Sequence, residues 1–148
     1  MYALAAALLV ASLSLWKGLF AHDFNIEYVA AYTSRNLPTY YIVSAFWAGQ
    51  KGSLLFWAVV LACFSAVAQW ITARRYADLL PYVAGVTNIV VVFFVLVMIF
   101  AANPFERLNF IPEDGRGLNP QLQNIGMVMH PPMLYLGYIS VTIPFAFA

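Results

Sequence analysis

Residues 79–102, LLPYVAGVTNIVVVFFVLVMIFAA, decide the fold class of this chain. The segment runs from about Leu79 to Ala102 without a charged side chain, and a helix needs about 20 apolar residues to cross a bilayer. Because the hydrocarbon core offers no water to unpaired backbone groups, a segment that crosses it is expected to be helical. The sequence therefore predicts a transmembrane helix here.

Two segments before this one also have the composition of membrane spans. The first runs from the first residue to about Phe20, and its one charged side chain, Lys17, is close enough to the end to reach the interface. The second runs from about Pro38 to Thr72, is too long for one simple span, and is interrupted by polar residues at 48–53. Both are expected to be helical.

A fourth apolar segment opens at Pro131 and is still apolar at Ala148, where it falls short of the length of a span. We expect a truncated helix there. The predicted fold class is therefore all-α: a multi-spanning helical membrane protein with about four transmembrane helices, the last one truncated. Residues 1–148 form one transmembrane region, with ordered outward-facing loops at about 21–37 and 103–130.

The composition agrees with a place in the bilayer and excludes other settings. Hydrophobic residues make up 64% of the chain and charged residues 9%, compared with roughly 25% charged residues in soluble domains. A net charge of +1 does not indicate the basic surface that nucleic acid requires. The high hydrophobic content makes lipid the expected surrounding. The single cysteine, Cys63, lies in an apolar run and is expected to pack rather than to take part in redox chemistry.

The arginines of one short connection indicate the orientation of the spans. Arg74 and Arg75 are adjacent in a short loop, whereas the longer loops carry charges of both signs. By the positive-inside rule the double arginine faces the cytoplasm. Both longer loops then face the periplasm of a bacterial inner membrane, or the equivalent side of a mitochondrial inner membrane.

Small residues in the second segment indicate close packing. If the helix is continuous, Ala45, Gly49 and Ser53 lie on one face, a spacing that lets a neighbouring helix approach. Trp47 and Lys51 are four residues apart on another face. An anchored helix entrance with a lysine that reaches the interface is favoured there, and direct contact with a ligand is the alternative.

The loop from Asn103 to His130 is expected to be ordered and functional. It contains turn-forming pairs and apolar residues of its own, and loops of this length that are not disordered usually carry function. Residues 121–129 are predicted to form a short helix on the membrane surface, with Asn119 as its cap and Pro120 at its first position.

His130, one of two histidines, is the candidate functional residue. It is expected between the surface helix and the last span, with Pro131 and Pro132 in the first turn of that span. A neutral imidazole there can act as an axial ligand of haem iron, and nearby apolar residues can supply the flat wall that haem requires: Met127, Met129, Met133, Leu134 and Tyr135. From periodicity alone, a histidine bonded to loop carbonyls is the favoured alternative.

Three other polar residues on the same side are weaker candidates. Arg107 and Arg116 could pair with haem propionates, but pairing with Glu106, Glu113 or Asp114 is the favoured expectation. His22 could be a second ligand, although an exposed loop histidine is favoured.

Two motifs carry a family resemblance. GRGLNPQLQN at residues 115–124 and HPPMLYLGY at residues 130–138 resemble a segment of the CcmF family of membrane haem lyases. Stretches within residues 23–30 and 37–57 agree with the same family in the same order. The similarity extends over nearly the whole chain.

The resemblance implies a function in cytochrome c biogenesis. Proteins of this family accept b-type haem as substrate from a CcmE-like haem chaperone at the outer face of the membrane, work with CcmH-like maturation subunits, and promote thioether attachment to apocytochrome c. It assigns His130 as an axial ligand of the haem iron, with Pro131, Pro132 and Tyr135 in support.

The remaining parts of such a site are not found in these residues. The opposing ligand, the tryptophan-rich motif and the histidines of a second, structural haem come later in the family and are expected in the carboxyl-terminal remainder. The chain is therefore expected to be one part of a haem lyase, with no catalytic residue of its own. The alternative is a non-catalytic membrane scaffold subunit of the maturation complex.

Overall fold

The computed structural model describes all 148 residues. It contains six α-helices and one 3₁₀ turn, and its only β-type pairing is a single bridge between Ile26 and Arg107. The predicted all-α fold class is confirmed. The elements, in chain order, are α1 (Tyr2–Ala21), α2 (Glu27–Tyr32), α3 (Thr39–Ala48), α4 (Gln50–Thr72), α5 (Leu80–Phe100), the 3₁₀ turn (Pro120–Leu122) and α6 (Ile125–Phe147).

Three helices are long and apolar enough to cross a membrane: α1 with 20 residues, α4 with 23 and α5 with 21. They correspond to the first three predicted segments. The helix α6 also has 23 residues and contains no charged side chain, but His130 and three internal prolines make it less apolar. It begins at Ile125, six residues before the predicted start at Pro131.

The second apolar segment forms two helices, α3 and α4, which are separated by Gly49. The backbone of Gly49 is extended, with φ −119° and ψ 163°, so the prediction of one continuous face from Ala45 to Ser53 is wrong. The physical reason is the phenol of Tyr28. Its hydroxyl donates a hydrogen bond to the carbonyl of Ala45 (2.9 Å) and accepts one from the N–H of Gly49 (3.0 Å).

Tyr28 thus takes over hydrogen bonds that a continuous helix would make within its own backbone. Its side chain is only 2% exposed, and this burial raises the pKa of the hydroxyl above its ordinary value. Tyr28 therefore stabilises the break between α3 and α4 through hydrogen bonds to backbone groups on both sides of it.

Glycines at the break receive aromatic rings from the short helix α2. A Cβ added to Gly49 would overlap the ring of Tyr32, and one added to Gly52 would overlap the hydroxyl of Tyr28 and the carbonyl of Phe46. The small residues do admit a close neighbour, as the sequence indicated. That neighbour is a six-residue helix in a loop and not another span.

The two longer loops, residues 22–38 and 101–124, pack together into what we call the cap. The N–H of Glu27 donates to Glu106 O (2.8 Å), and the N–H of Leu108 donates to Asn25 O (2.9 Å). Further along, the N–H groups of Arg116 and Gly117 donate to carbonyls near the end of α2. The cap lies at the opposite end of the helices from the loop that carries Arg74 and Arg75.

The glycines of the GRGLNP motif allow the second loop to approach the first this closely. A Cβ on Gly115 would overlap the carbonyl of Thr33, and Gly117 has φ +77°, a value that favours glycine. Asp114 lies beside them and accepts hydrogen bonds from the N–H groups of Arg35 (2.9 Å) and Gly115 (2.7 Å). The hydrogen bond from Arg35 holds the pKa of Asp114 below its usual range.

Lys51 fastens the cap to the membrane helices. It lies in the first turn of α4, and its ammonium group contacts the carboxylates of Glu27 (2.5 Å) and Glu106 (2.7 Å), one from each loop. The side chain of Lys51 is 25% exposed, so this three-group network is only partly accessible to water. Nothing in the sequence pattern indicated this arrangement, because the three residues are far apart in the chain.

Replacing Gly52 by alanine is expected to lower the free energy of unfolding by about 1–3 kcal/mol, since the methyl group enters a filled space. Gly85→Ala is the matched control, because a Cβ at Gly85 in α5 would have no neighbour within 4 Å. It should leave stability unchanged or raise it by up to about 1 kcal/mol through helix propensity. Thermal unfolding in detergent measures both variants, and equal unfolding temperatures would contradict the packing described here.

Acidification is expected to loosen the cap through Glu106. The hydrogen bond and charge of Lys51 lower the pKa of Glu106, so its stabilising effect is complete above the ordinary carboxyl pKa and is lost as the pH falls through the lowered value. Hydrogen exchange at the amides of Glu27 and Leu108, corrected for intrinsic rates, should therefore become faster as the pH falls from the ordinary carboxyl pKa through the lowered pKa of Glu106.

The variant Glu106→Gln should show this faster exchange already at neutral pH. Glu113→Gln is the matched control, because Glu113 is an exposed carboxylate of the same loop outside the Lys51 network. Unchanged protection in Glu106→Gln at neutral pH would argue against a fastening role for the ion pairs.

Candidate functional site

The start of α6 positions the candidate ligand, and it differs from the predicted arrangement. The 3₁₀ turn is capped by Asn119, whose side chain accepts from the N–H of Gln121 (3.0 Å), with Pro120 at its first position. Instead of continuing to residue 129, this turn ends at Leu122. Asn124 then caps α6 by accepting from the N–H of Gly126 (2.8 Å). The prediction of a surface helix over residues 121–129 is wrong, because the second cap, Asn124, starts a new helix.

His130 therefore lies inside α6, in its second turn, and not in a junction before it. Its side chain is exposed, and the imidazole makes no hydrogen bond with the protein. The alternative of a histidine bonded to loop carbonyls is wrong for this structure.

Pro131 and Pro132 are also inside α6 and not in its first turn as predicted. Proline has no N–H, so the carbonyls of Met127 and Val128 lack the donor that residues four positions later normally supply. Two successive backbone bonds of the helix are therefore missing directly beside His130.

The apolar neighbours of His130 divide between two faces of α6. Met127, Met133 and Leu134 are three or four residues from His130, which places them on its side of the helix, and they are 39%, 59% and 40% exposed. Tyr135 turns the other way and packs between Trp57 and Phe56, with ring centroids 5.3 Å and 5.8 Å away. Met129, the fifth residue of the predicted apolar wall, is 51% exposed. Without Tyr135, the residues predicted for this wall are three methionines and one leucine.

A cavity of about 480 Å³ lies on the Tyr135 side of α6. Its walls come from α3, α4, α5 and α6, and the cap contributes Leu118 and Leu122. Met127, Pro131 and Tyr135 of α6 line it, whereas His130 and Pro132 do not, so Met127 lies between the side of His130 and the side of Tyr135. The hydroxyl of Tyr135 is 3.4 Å from the hydroxyl of Ser53, which is a long contact. The four predicted site residues therefore do not converge on one pocket.

His22 has a structural place in the cap. It ends α1 in the left-handed conformation, with φ 51° and ψ 45°, and its Nε2 is 3.1 Å from the carbonyl of Ser34. The residue is half-buried, so the expectation of an exposed loop histidine is wrong. No group of three or more histidine, cysteine or carboxylate side chains gathers to hold a metal ion.

Arg107 and Arg116 are exposed, and neither guanidinium lies within 4.0 Å of a carboxylate. The expected pairing with Glu106, Glu113 or Asp114 is wrong, and two of these three acids have other partners. Lys51 binds Glu106, and backbone N–H groups occupy Asp114. Both guanidinium groups remain available to an anionic group from outside the chain.

The profile of the family described as "Cytochrome C assembly protein" matches residues 47–148. The cytochrome c-type biogenesis protein CcmF of Haemophilus influenzae is 38% identical to the chain over 99% of its residues and 23% of that relative's length. The CcmF of Pseudomonas fluorescens is 40% identical, with 97% of this chain and 22% of the relative covered. The protein NrfE of Haemophilus influenzae is 36% identical, with 84% and 20% covered.

These relatives confirm the resemblance read from the residues. The chain spans about a fifth of the length of the curated relatives it matches. No solved structure matches it. Because the family profile covers most of its residues and CcmF and NrfE proteins align along most of the remainder, the chain belongs to the cytochrome c assembly protein family.

Proposed function

We propose that the chain works in cytochrome c maturation as part of a membrane haem lyase, in which His130 serves as an axial ligand of substrate haem at the outer face of the membrane. The single observation that carries the proposal is the free, exposed imidazole of His130 on an ordered helix. Axial ligation needs a ring nitrogen with an available lone pair, and no protein group competes for it here.

The surroundings of His130 suit a flat apolar substrate. Met127, Met133 and Leu134 are exposed on the same side of α6, and thioether and aliphatic groups pack well on a porphyrin face. The free guanidinium groups of Arg107 and Arg116 belong to the preceding loop and have the chemistry to bind carboxylates. They are candidates for contacts with the propionates of haem.

The cap supports the ligand by fixing the chain just before α6. Leu118 is 3% exposed, and its carbonyl accepts a hydrogen bond from the side chain of Gln123 (2.8 Å). The following residues are held by the caps of Asn119 and Asn124. Because the cap fixes where α6 begins, His130 loses less positional freedom on binding, which favours affinity.

Partners and location follow from the same proposal. A haem chaperone of the CcmE type delivers haem, apocytochrome c receives it, and CcmH-like subunits present the apocytochrome. The cap and His130 face the periplasm of the bacterial inner membrane, since Arg74 and Arg75 mark the cytoplasmic end. The opposing ligand and a second, structural haem are assigned to the remainder of a CcmF-type protein.

The variant His130→Ala, made in the whole protein, is expected to abolish covalent haem attachment to cytochrome c without reducing the amount of protein in the membrane. Haem staining of cytochrome c and quantification of the membrane protein measure the two effects. Addition of imidazole to His130→Gly should restore part of the haem absorption spectrum, because the free base can occupy the vacated position.

The matched control is His22→Asn, which keeps a side chain that tolerates the left-handed conformation and can donate to Ser34. It should mature cytochrome c normally. Normal maturation in His130→Ala would contradict the ligand assignment and favour a scaffold subunit.

The double variant Pro131→Ala and Pro132→Ala is expected to lower maturation while the amount of inserted protein is retained. Alanine supplies the two missing N–H donors and so restores the backbone hydrogen bonds to the carbonyls of Met127 and Val128, which is expected to change the course of α6 beside His130. Maturation assays and membrane quantification test this, with Pro144→Ala as the control, since Pro144 is in α6 but far along the helix from His130. Equal activity of the double variant and the unaltered protein would count against a supporting role for these prolines.

A further inference from the structure

The loop at the other end of the helices has features that the haem proposal does not use. It joins α4 to α5 and contains Arg74 and Arg75, both exposed. Neither guanidinium forms an ion pair with a carboxylate, although Asp78 is in the same loop. The loop therefore presents two positive charges without internal partners.

One of these arginines is held in a defined position. The guanidinium carbon of Arg75 is 5.5 Å from the ring centroid of Tyr76, within the range of a cation–π contact. The ring of Tyr76 in turn packs edge-on against Phe147 of α6, with centroids 6.5 Å apart. Contact with a second helix fixes the ring, and the ring restricts the arginine.

Exposed aromatic and aliphatic side chains flank the arginines on both neighbouring helices. Trp70 near the end of α4 is 73% exposed, and Tyr82 near the start of α5 is 74% exposed. Ile71 and Leu79 are also exposed, at 66% and 44%. Tryptophan and tyrosine in such positions prefer the depth of lipid headgroups, and the aliphatic side chains suit acyl chains.

We propose that Arg74 and Arg75 bind the phosphate of an anionic phospholipid headgroup, with Trp70 and Tyr82 at the depth of that headgroup and Ile71 and Leu79 against the upper part of its acyl chains. A lipid is the occupant that fits, because it alone offers a phosphate and adjoining hydrocarbon to one surface at the end of membrane-spanning helices. Nucleic acid is disfavoured by the small net charge of +1. The assignment does not depend on the role of His130.

The test uses the full chain, purified in detergent and mixed with phosphatidylglycerol or phosphatidylethanolamine, with lipid retention counted by native mass spectrometry. The unaltered chain should retain phosphatidylglycerol preferentially. The double variant Arg74→Gln and Arg75→Gln should reduce that preference on the order of tenfold, as expected for two arginines near an anionic lipid. Arg74→Lys with Arg75→Lys should keep most of it, since the charges remain.

Lys17→Gln is the matched control, because Lys17 lies near the opposite end of the bundle in α1. It should not change the preference. Inorganic phosphate added in excess should not displace the lipid, since the acyl chains contribute to binding. Equal retention of both lipids by the unaltered chain, or an unchanged preference in the double glutamine variant, would overturn the proposal, as would displacement of the lipid by phosphate alone.

Discussion

The hydroxyl of Tyr28 is the contact on which the rest of the arrangement depends. A helix broken inside a membrane protein leaves backbone groups without hydrogen-bond partners in the helix. The hydroxyl of Tyr28 is the partner of two such groups, the carbonyl of Ala45 and the N–H of Gly49. To reach the break, α2 must lie against α3 and α4, where Gly49 and Gly52 make room for its rings. The position of α2 then fixes the first loop, and the hydrogen bonds of the cap transfer that position to the second loop and to α6.

The physical basis of the cap is backbone pairing, to which the charges add. Four backbone N–H groups donate to carbonyls across the two loops, and the N–H of Arg35 donates to the side chain of Asp114, so the meeting of the loops provides partners for these polar groups. Lys51 adds two ion pairs that link this layer to α4. As a result, two segments with little regular structure form a rigid platform, and the GRGLNP motif has a structural explanation: its glycines permit the close approach and its asparagine caps the next turn.

Much of this fold could be predicted from the sequence, and the failures have identifiable physical causes. Hydropathy located α1 and α5 closely, because each is a single apolar run with polar ends. It also located a polar interruption at residues 48–53, which contains the break at Gly49. It could not show that the backbone of Gly49 is extended, because the residue that stabilises this conformation is 21 positions away. The Asn124-Ile125-Gly126 sequence is a second cap signal that, if recognised, would have placed the start of α6 correctly. The partners of Lys51 could not be inferred, since ion pairs between loops depend on the tertiary fold. The chemistry of His130 and its family motif identify it as the candidate functional residue. The structure adds that its side chain is exposed and that it lies within α6.

The two consecutive prolines of α6 have a mechanical consequence. A helix bends most easily where its internal bonds are absent, and here the absent bonds fall between the capped start and the part seated on Trp57. His130 therefore lies in the part of α6 that lacks two backbone hydrogen bonds, between the start that Asn124 caps and the part that packs on Trp57. Small bends of α6 at this point change the direction of the imidazole, while the cap and the packed helices keep their positions.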